Sequence, residues 1–333
     1  MVIDHPDGQK VSTSPSLADA SIVWVAFLVR TSSLLAQGLW RDEVDQWRFA
    51  FLSPSELLAN LTRPGWNGPL YSPLLRGWIA LAGESVFAMR FLSVLFGVLS
   101  VVIAHALIHR MIGSRQARLT ALLIAVSPYM AWYAQEIKMY TWVPLLVSLA
   151  LYGMDRAVDS GQARWWWLVF GATTLAVYSH ILAALLVPIL GLWFWFHPSR
   201  SPRAWVGGLA TAAGLTLPYL PLLRWQAALA FVPRETGFPA RSLGQMVGAL
   251  LTGWSAGISQ GTWPISAIVV LAVGVGAALA GAGALLLVRA GRVDATARLV
   301  AWLMLPLAGV WLVSQWSPIF TDRYLIWSAP AYY

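Results

Sequence analysis

Residues 21–43, SIVWVAFLVRTSSLLAQGLWRDE, run from an apolar stretch straight into two adjacent carboxylates, Asp42 and Glu43. A helix needs about 20 apolar residues to cross a bilayer, so the stretch reads as a first span that ends at Leu39. Arg30 interrupts the apolar run and no Ala-x-Ala site follows it, which favours a retained span over a cleaved signal. The carboxylate pair then sits where the chain leaves the membrane. Taken alone, such a pair marks a solvated helix end, the default place for charged side chains.

Composition extends the membrane reading to the whole chain. Hydrophobic residues make up 58% and charged residues 11% of the 333 positions, against roughly 25% charged in a soluble domain. The mean hydropathy is +0.65. Cysteine is absent, which excludes a disulfide framework and a thiolate metal site. The net charge of +8 comes from arginines in short clusters between apolar runs, not from one basic face, and this argues against nucleic-acid binding.

Nine spans are expected, at 17–39, 89–109, 119–133, 141–154, 165–178, 181–196, 204–222, 264–288 and 299–316. Residues 1–16 would form a cytoplasmic tail and 17–333 one transmembrane domain. Arginine clusters at Arg110–Arg118, Arg156–Arg164, Arg200–Arg203 and Arg289–Arg298 occupy alternate loops, which the positive-inside rule places in the cytoplasm. The remaining loops then face outward: a long first outer loop at 41–88, a second large one at 223–263, and the segments holding Glu136, Lys138, His180, Asp322 and Arg323. Residues 69–82 read as a juxtamembrane helix within the first outer loop. His105 and His109, at four-residue spacing, lie toward the opposite face and are read as structural. Trp165 to Trp167 and Trp193 to Phe196 read as interfacial aromatic belts.

Five stretches in order carry a resemblance: Trp40-Arg41-Asp42-Glu43; Asn67-Gly68-Pro69-Leu70-Tyr71; Ala88-Met89-Arg90-Phe91-Leu92-Ser93; Ser127-Pro128 with Tyr133-Ala134-Gln135-Glu136-Ile137-Lys138-Met139-Tyr140; and Asp322-Arg323-Tyr324-Leu325-Ile326. With Tyr178-Ser179-His180, they resemble the dolichyl-phosphate-mannose protein mannosyltransferase-like family of the GT-C glycosyltransferase superfamily. The resemblance implies an all-α, polytopic transmembrane helical bundle of GT-C type. It also implies sugar transfer from a polyprenyl-phosphate carrier to an extracytoplasmic protein, lipid or glycan acceptor, with inversion at the anomeric carbon.

Such a transfer needs a base near the acceptor and cations near the departing phosphate. By resemblance Asp42 is the base and Glu43 its neighbour, positioning acceptor or cation. Lys138, Tyr140 and Arg323 are the candidate phosphate-binding residues, with His180, Glu136 and Arg90 in support. Lys138 stands where the family usually has arginine, which keeps the charge and loses the bidentate fork. No cofactor is implied with certainty; a divalent cation stays open, with Asp42, Glu43 and His180 as the residues that could hold it.

Two departures qualify the match. Asn67-Gly68-Pro69 replaces the family's Pro-Pro turn, so Gly68 is expected to loosen that turn. Relatives continue beyond the Arg-Tyr motif, whereas this sequence stops at Tyr333, so its C-terminus looks truncated. The competing classes are a transporter or flippase of lipid-linked sugars and an inactive scaffold of an envelope assembly complex. Transporters of that kind hold ionisable residues near the midplane and show internal repeats; here the charges sit at span ends.

Overall fold

The computed structural model describes residues 16–60, 68–230, 237–257 and 267–333. The expected tail over 1–15, the turn residue Asn67, and parts of the second outer loop and of the eighth span lie outside them. The chain runs α1 (Leu17–Thr31), α2 (Arg41–Ala50), α3 (Pro54–Asn60), α4 (Tyr71–Ala82), α5 (Val86–Met111), α6 (Ser114–Val126), α7 (Pro128–Tyr133), α8 (Trp142–Ser160) and α9 (Ala163–Ser179). A 3₁₀ turn at Ile181–Leu185 leads into α10 (Leu186–Trp195), α11 (Pro202–Ala230), α12 (Leu243–Ala256), α13 (Ala267–Arg289) and α14 (Val293–Ser314). A second 3₁₀ segment at Asp322–Ser328 and α15 (Ala329–Tyr332) follow, with no strand among the described residues.

Every apolar run expected to be a span is helical, and the departures have local causes. The first helix stops at Thr31 instead of reaching residue 39, because the carbonyls of Leu34, Gln37 and Gly38 turn to accept hydrogen bonds from Arg90. The third run breaks into α6 and α7 at Pro128, which has no N–H to continue the ladder. Ser127 caps the new helix, its Oγ accepting from Met130 N at 3.2 Å. The carbonyls released at the end of α6, on Ile124 and Ala125, accept from the Arg30 guanidinium at 3.0 and 2.9 Å. The charge that interrupts the first apolar run is thus fully buried as the cap of a neighbouring helix.

α5 and α8 form the centre of the bundle: α5 packs on α6, α8 and α1, and α8 on α9. Helix α4 forms at the expected juxtamembrane position and packs on α2 and α5. Within the expected second outer loop, α12 docks on α13 and buries Met246, Leu250 and Trp254. Among the described residues, α5, the Pro202–Leu223 part of α11, α13 and α14 are long and apolar enough to cross a membrane. Helix α13 has no buried residue and exposes Ile268, Leu271, Leu279 and Leu286, as expected of a helix whose solvent is lipid.

The aromatic-belt reading needs correction at three positions, one of them Phe194 of α10, which is buried. Trp193 is fully buried and meets Trp302 edge-on at 6.1 Å, and Trp166 is also buried, whereas Trp167 and Trp195 point outward. Periodicity explains the difference: in a helix, adjacent aromatics face different directions, so only part of each cluster can lie at the surface.

At the end of α5 away from Arg90, four elements meet in an ion cluster. Asp155 accepts from Arg110 Nε at 2.9 Å and from Arg298 Nη1 at 2.8 Å, and His197 Nε2 lies 3.3 Å from the same carboxylate. His105 and His109 stack in parallel nearby in sequence, His105 reaching Asp19 at 3.5 Å and His109 reaching Ser114 at 3.0 Å.

Candidate active site

Asp42 and Glu43 occupy the first turn of α2, where free N–H groups and the positive end of the helix dipole favour carboxylates. Adjacent helical residues point apart, and these two have opposite surroundings. Glu43 is fully buried and grips Arg90 with both oxygens, Oε1 to Nε at 2.9 Å and Oε2 to Nη2 at 2.7 Å. It also accepts from the backbone N–H of Ile137 at 3.0 Å and of Trp40 at 3.3 Å. Arg90 in turn donates to the Leu34, Gln37 and Gly38 carbonyls. One ion pair thus ties together α5, the loop after α1, the start of α2 and the loop before α8.

Asp42 faces the other way and keeps 29% of its side chain exposed. Its Oδ2 lies 3.2 Å from Nη2 of Arg323, which arrives from the 3₁₀ segment near the chain's end. The Arg323 guanidinium lies over the rings of Trp40, Tyr140 and Tyr324, at 5.3, 5.7 and 6.0 Å. Three rings around one guanidinium hold it by cation–π attraction and restrict its rotamers. Tyr133, packed against Tyr140, donates to Asp322 at 3.3 Å.

The loop between α7 and α8 supplies Glu136, Lys138 and Tyr140, all buried. Ser93 of α5 pins this loop by donating to the Glu136 carbonyl at 2.6 Å. Glu136 Oε1 accepts from Trp132 Nε1 at 3.0 Å, while its Oε2 is buried without a hydrogen-bond partner among the described residues. Burial pushes the Glu136 carboxyl up to about 7, with Arg323 pulling the other way. Burial lowers Lys138 from the usual lysine range, opposed by the Asp42 carboxylate.

His180 lies beyond the end of α9, buried edge-on against Tyr324 at 4.8 Å. Its Nδ1 accepts from Leu182 N at 3.3 Å, and burial lowers it to about 3, with Arg323 adding to the effect. It is a neutral imidazole. Gly68 lies nearby, but not for the freedom expected of it: an added Cβ would overlap the Tyr178 carbonyl, whose oxygen accepts from Leu70 N at 3.0 Å. Its lack of a side chain lets the two backbone segments touch.

A cavity of about 370 Å³ opens between these elements, lined by Trp40, Glu43, Arg90, Trp132, Glu136 and Arg323, with Ser33, Gln37 and Gln135 at its polar wall. All eight residues singled out in the sequence thus gather around one locus, directly or through Tyr324. Sequence reasoning missed the roles of Trp40 and Tyr133, which lie inside the quoted motifs, and those of Trp132, Ser33 and Gln37, which no motif marks. A divalent cation finds less support than expected. Glu43 has both oxygens committed to Arg90 and backbone N–H groups. Among the described residues the group of three His and Asp side chains within ligand reach is Asp155, Asp159 and His197, and two arginines already bind its carboxylates.

The fold defines a class: a polytopic, all-α membrane protein whose architecture resembles the GT-C fold. The model of the dolichyl-phosphate-mannose-protein mannosyltransferase family matches residues 64–225, a stretch that carries Arg90, Glu136, Lys138, Tyr140 and His180. The chain thus resembles the family indicated by its motifs. Among solved structures it is similar to ArnT from Cupriavidus metallidurans bound to undecaprenyl phosphate, at 16% identity and a TM-score of 0.59, over 94% of this chain and 58% of that one. It is also similar to the archaeal oligosaccharyltransferase AglB from Archaeoglobus fulgidus, in complex with an inhibitory peptide and a dolichol-phosphate, at 15% identity and a TM-score of 0.58, over 94% of this chain and 50% of that one. At such identities the likeness is one of fold, and the chain spans little more than half the length of these structures. Comparison with curated proteins finds no sequence match.

Proposed function

We propose that the protein is a membrane glycosyltransferase that moves a sugar from a polyprenyl-phosphate carrier to an acceptor outside the cytoplasmic membrane. The observation that carries this reading is the pairing of the partly exposed Asp42 with Arg323 at 3.2 Å, an acid beside a cation that itself lines the cavity. Asp42 takes the proton from the acceptor's hydroxyl or amine as that atom attacks the anomeric carbon. The bond to phosphate breaks on the opposite face, so the product is inverted. The departing phosphate carries the electron pair and is met by Arg323 and Lys138, charge-assisted donors that gain strength in a site shielded from water. Tyr140 holds the Arg323 guanidinium from below, and its hydroxyl is a further candidate donor.

Glu43 and Arg90 act as positioning residues in this scheme, since their side chains are spent on each other and on backbone groups. Neutral His180 supports Tyr324 behind Arg323. The arginine clusters of the alternate loops, Arg110–Arg118, Arg156–Arg164, Arg200–Arg203 and Arg289–Arg298, support a cytoplasmic position for those loops and so an outer-face position for the site. Asp42→Asn keeps the shape of the side chain and removes its basicity. The variant should insert normally and bind lipid donor, yet transfer no radiolabelled sugar in a detergent assay; normal turnover would refute the base assignment. Transfer in detergent, with no sealed compartment, would also exclude a protein that only transports.

A further inference from the structure

The cavity beside Arg323 is charged unevenly. On one part of its wall the Arg323 guanidinium reaches toward Asp42. Elsewhere on the wall, Glu136 has one oxygen bound to Trp132 and the other buried without a partner among the described residues. A buried acceptor with no donor costs about 1–3 kcal/mol, which a bound donor group would recover. An anionic phosphate does not suit the Glu136 end, because two acidic groups would face each other in a low-dielectric space. The phosphate therefore belongs near Arg323 and Lys138, and the part of the ligand that reaches Glu136 must be uncharged and rich in hydroxyls.

Resting on the proposed sugar transfer, we infer that this cavity holds the glycosyl ring of the donor and that Glu136 is a specificity-determining residue that accepts a hydrogen bond from a ring hydroxyl. The surroundings fit such an occupant. Trp40 and Trp132 supply aromatic walls, Gln37 and Gln135 supply amides, and about 370 Å³ lies at the small end of the roughly 300–1,000 Å³ range of ligand sites. That is space for one ring, so the donor would carry a monosaccharide. The Oε1 bond to Trp132 fixes the carboxyl plane, which makes the free oxygen selective for a hydroxyl at one ring position.

Two measurements test this. Undecaprenyl phosphate bearing a glucose, mannose or galactose ring with a photoreactive diazirine is irradiated with the detergent-purified protein. Cross-links are expected within residues 33–40 and 132–136. Cross-links confined to other segments, with transfer intact, overturn the cavity assignment and leave the enzyme reading standing. No cross-link together with no transfer from any of the three donors overturns donor use itself. The second measurement compares each hydroxylated donor with its deoxy forms on the wild type and on Glu136→Gln. Loss of a hydrogen bond to a carboxylate should cost the preferred donor about 10- to 100-fold in kcat/KM, and the variant should discriminate far less between that donor and one deoxy form. Unchanged donor discrimination in the variant, or a change confined to acceptor choice, overturns the inference.

Discussion

Arg90 and Glu43 lock together through two parallel hydrogen bonds of 2.9 and 2.7 Å, the arginine only 4% exposed and the glutamate not at all. The pair fixes the orientation of the helix turn that presents Asp42. Removing one partner strands a buried charge, at a cost of about 3–5 kcal/mol. Glu43→Gln and Arg90→Ala should each lower the Tm of the detergent-purified protein markedly. Arg90→Lys should do nearly as much, because an ammonium cannot replace the fork and also reach the Leu34, Gln37 and Gly38 carbonyls. Unfolding followed by scanning fluorimetry checks all three.

Arg323 should separate donor binding from folding. In Arg323→Ala the ion pair to Asp42 and the contacts with Trp40 and Tyr140 are lost, but the site is partly exposed and the bundle remains. We expect an apparent KM for lipid donor raised about tenfold or more, corresponding to at least ~1.4 kcal/mol, with little change in Tm. An unchanged donor KM would remove Arg323 from the phosphate site.

Glu136 predicts a direction for pH. Its folded value of about 7 lies above the ordinary 4.5, so below pH 4.5 it is neutral in both states and adds nothing. As the pH rises from about 4.5 to about 7 the unfolded chain ionises first, and the folded state loses stability across that window. Wild-type Tm should therefore fall relative to Glu136→Gln between pH 5 and 8, as measured in parallel melts. Parallel curves would show that burial does not raise the Glu136 carboxyl above its ordinary value.

Gly68→Ala tests a close approach of two backbone segments. The added methyl would overlap the Tyr178 carbonyl, pushing α4 away from the end of α9 and breaking the Leu70 to Tyr178 hydrogen bond. A small, neutral change should thus reduce transfer strongly and lower Tm, whereas Gly77→Ala, with open space around it, should be tolerated or slightly stabilising.

The ion cluster around Asp155 gives a contrasting case. With a rise of ~1.5 Å per residue, Arg110 lies ~30 Å along α5 from Arg90. Asp155→Asn should lower stability by leaving Arg298 and Arg110 poorly paired, while the folded fraction keeps its donor KM. A donor KM that shifts with this variant would show that the two ends of the bundle are coupled.

Hydropathy by itself determined the helical membrane architecture and the positions of its long apolar helices, because a bilayer demands long apolar runs and leaves them plain in one dimension. The ordered motifs also picked out the residues that gather at the site. The division of labour between Asp42 and Glu43 was not legible. They are neighbours in sequence, and only the packing of α5 against α2 buries one on Arg90 and leaves the other facing Arg323. The same holds for Arg30, read as an interruption and found capping α6, and for Gly68, read as a loose turn and found at a backbone contact. Sequence carries residue type and spacing, but which oxygen has a partner depends on groups about 50 to 280 positions away, and only the tertiary structure brings those together.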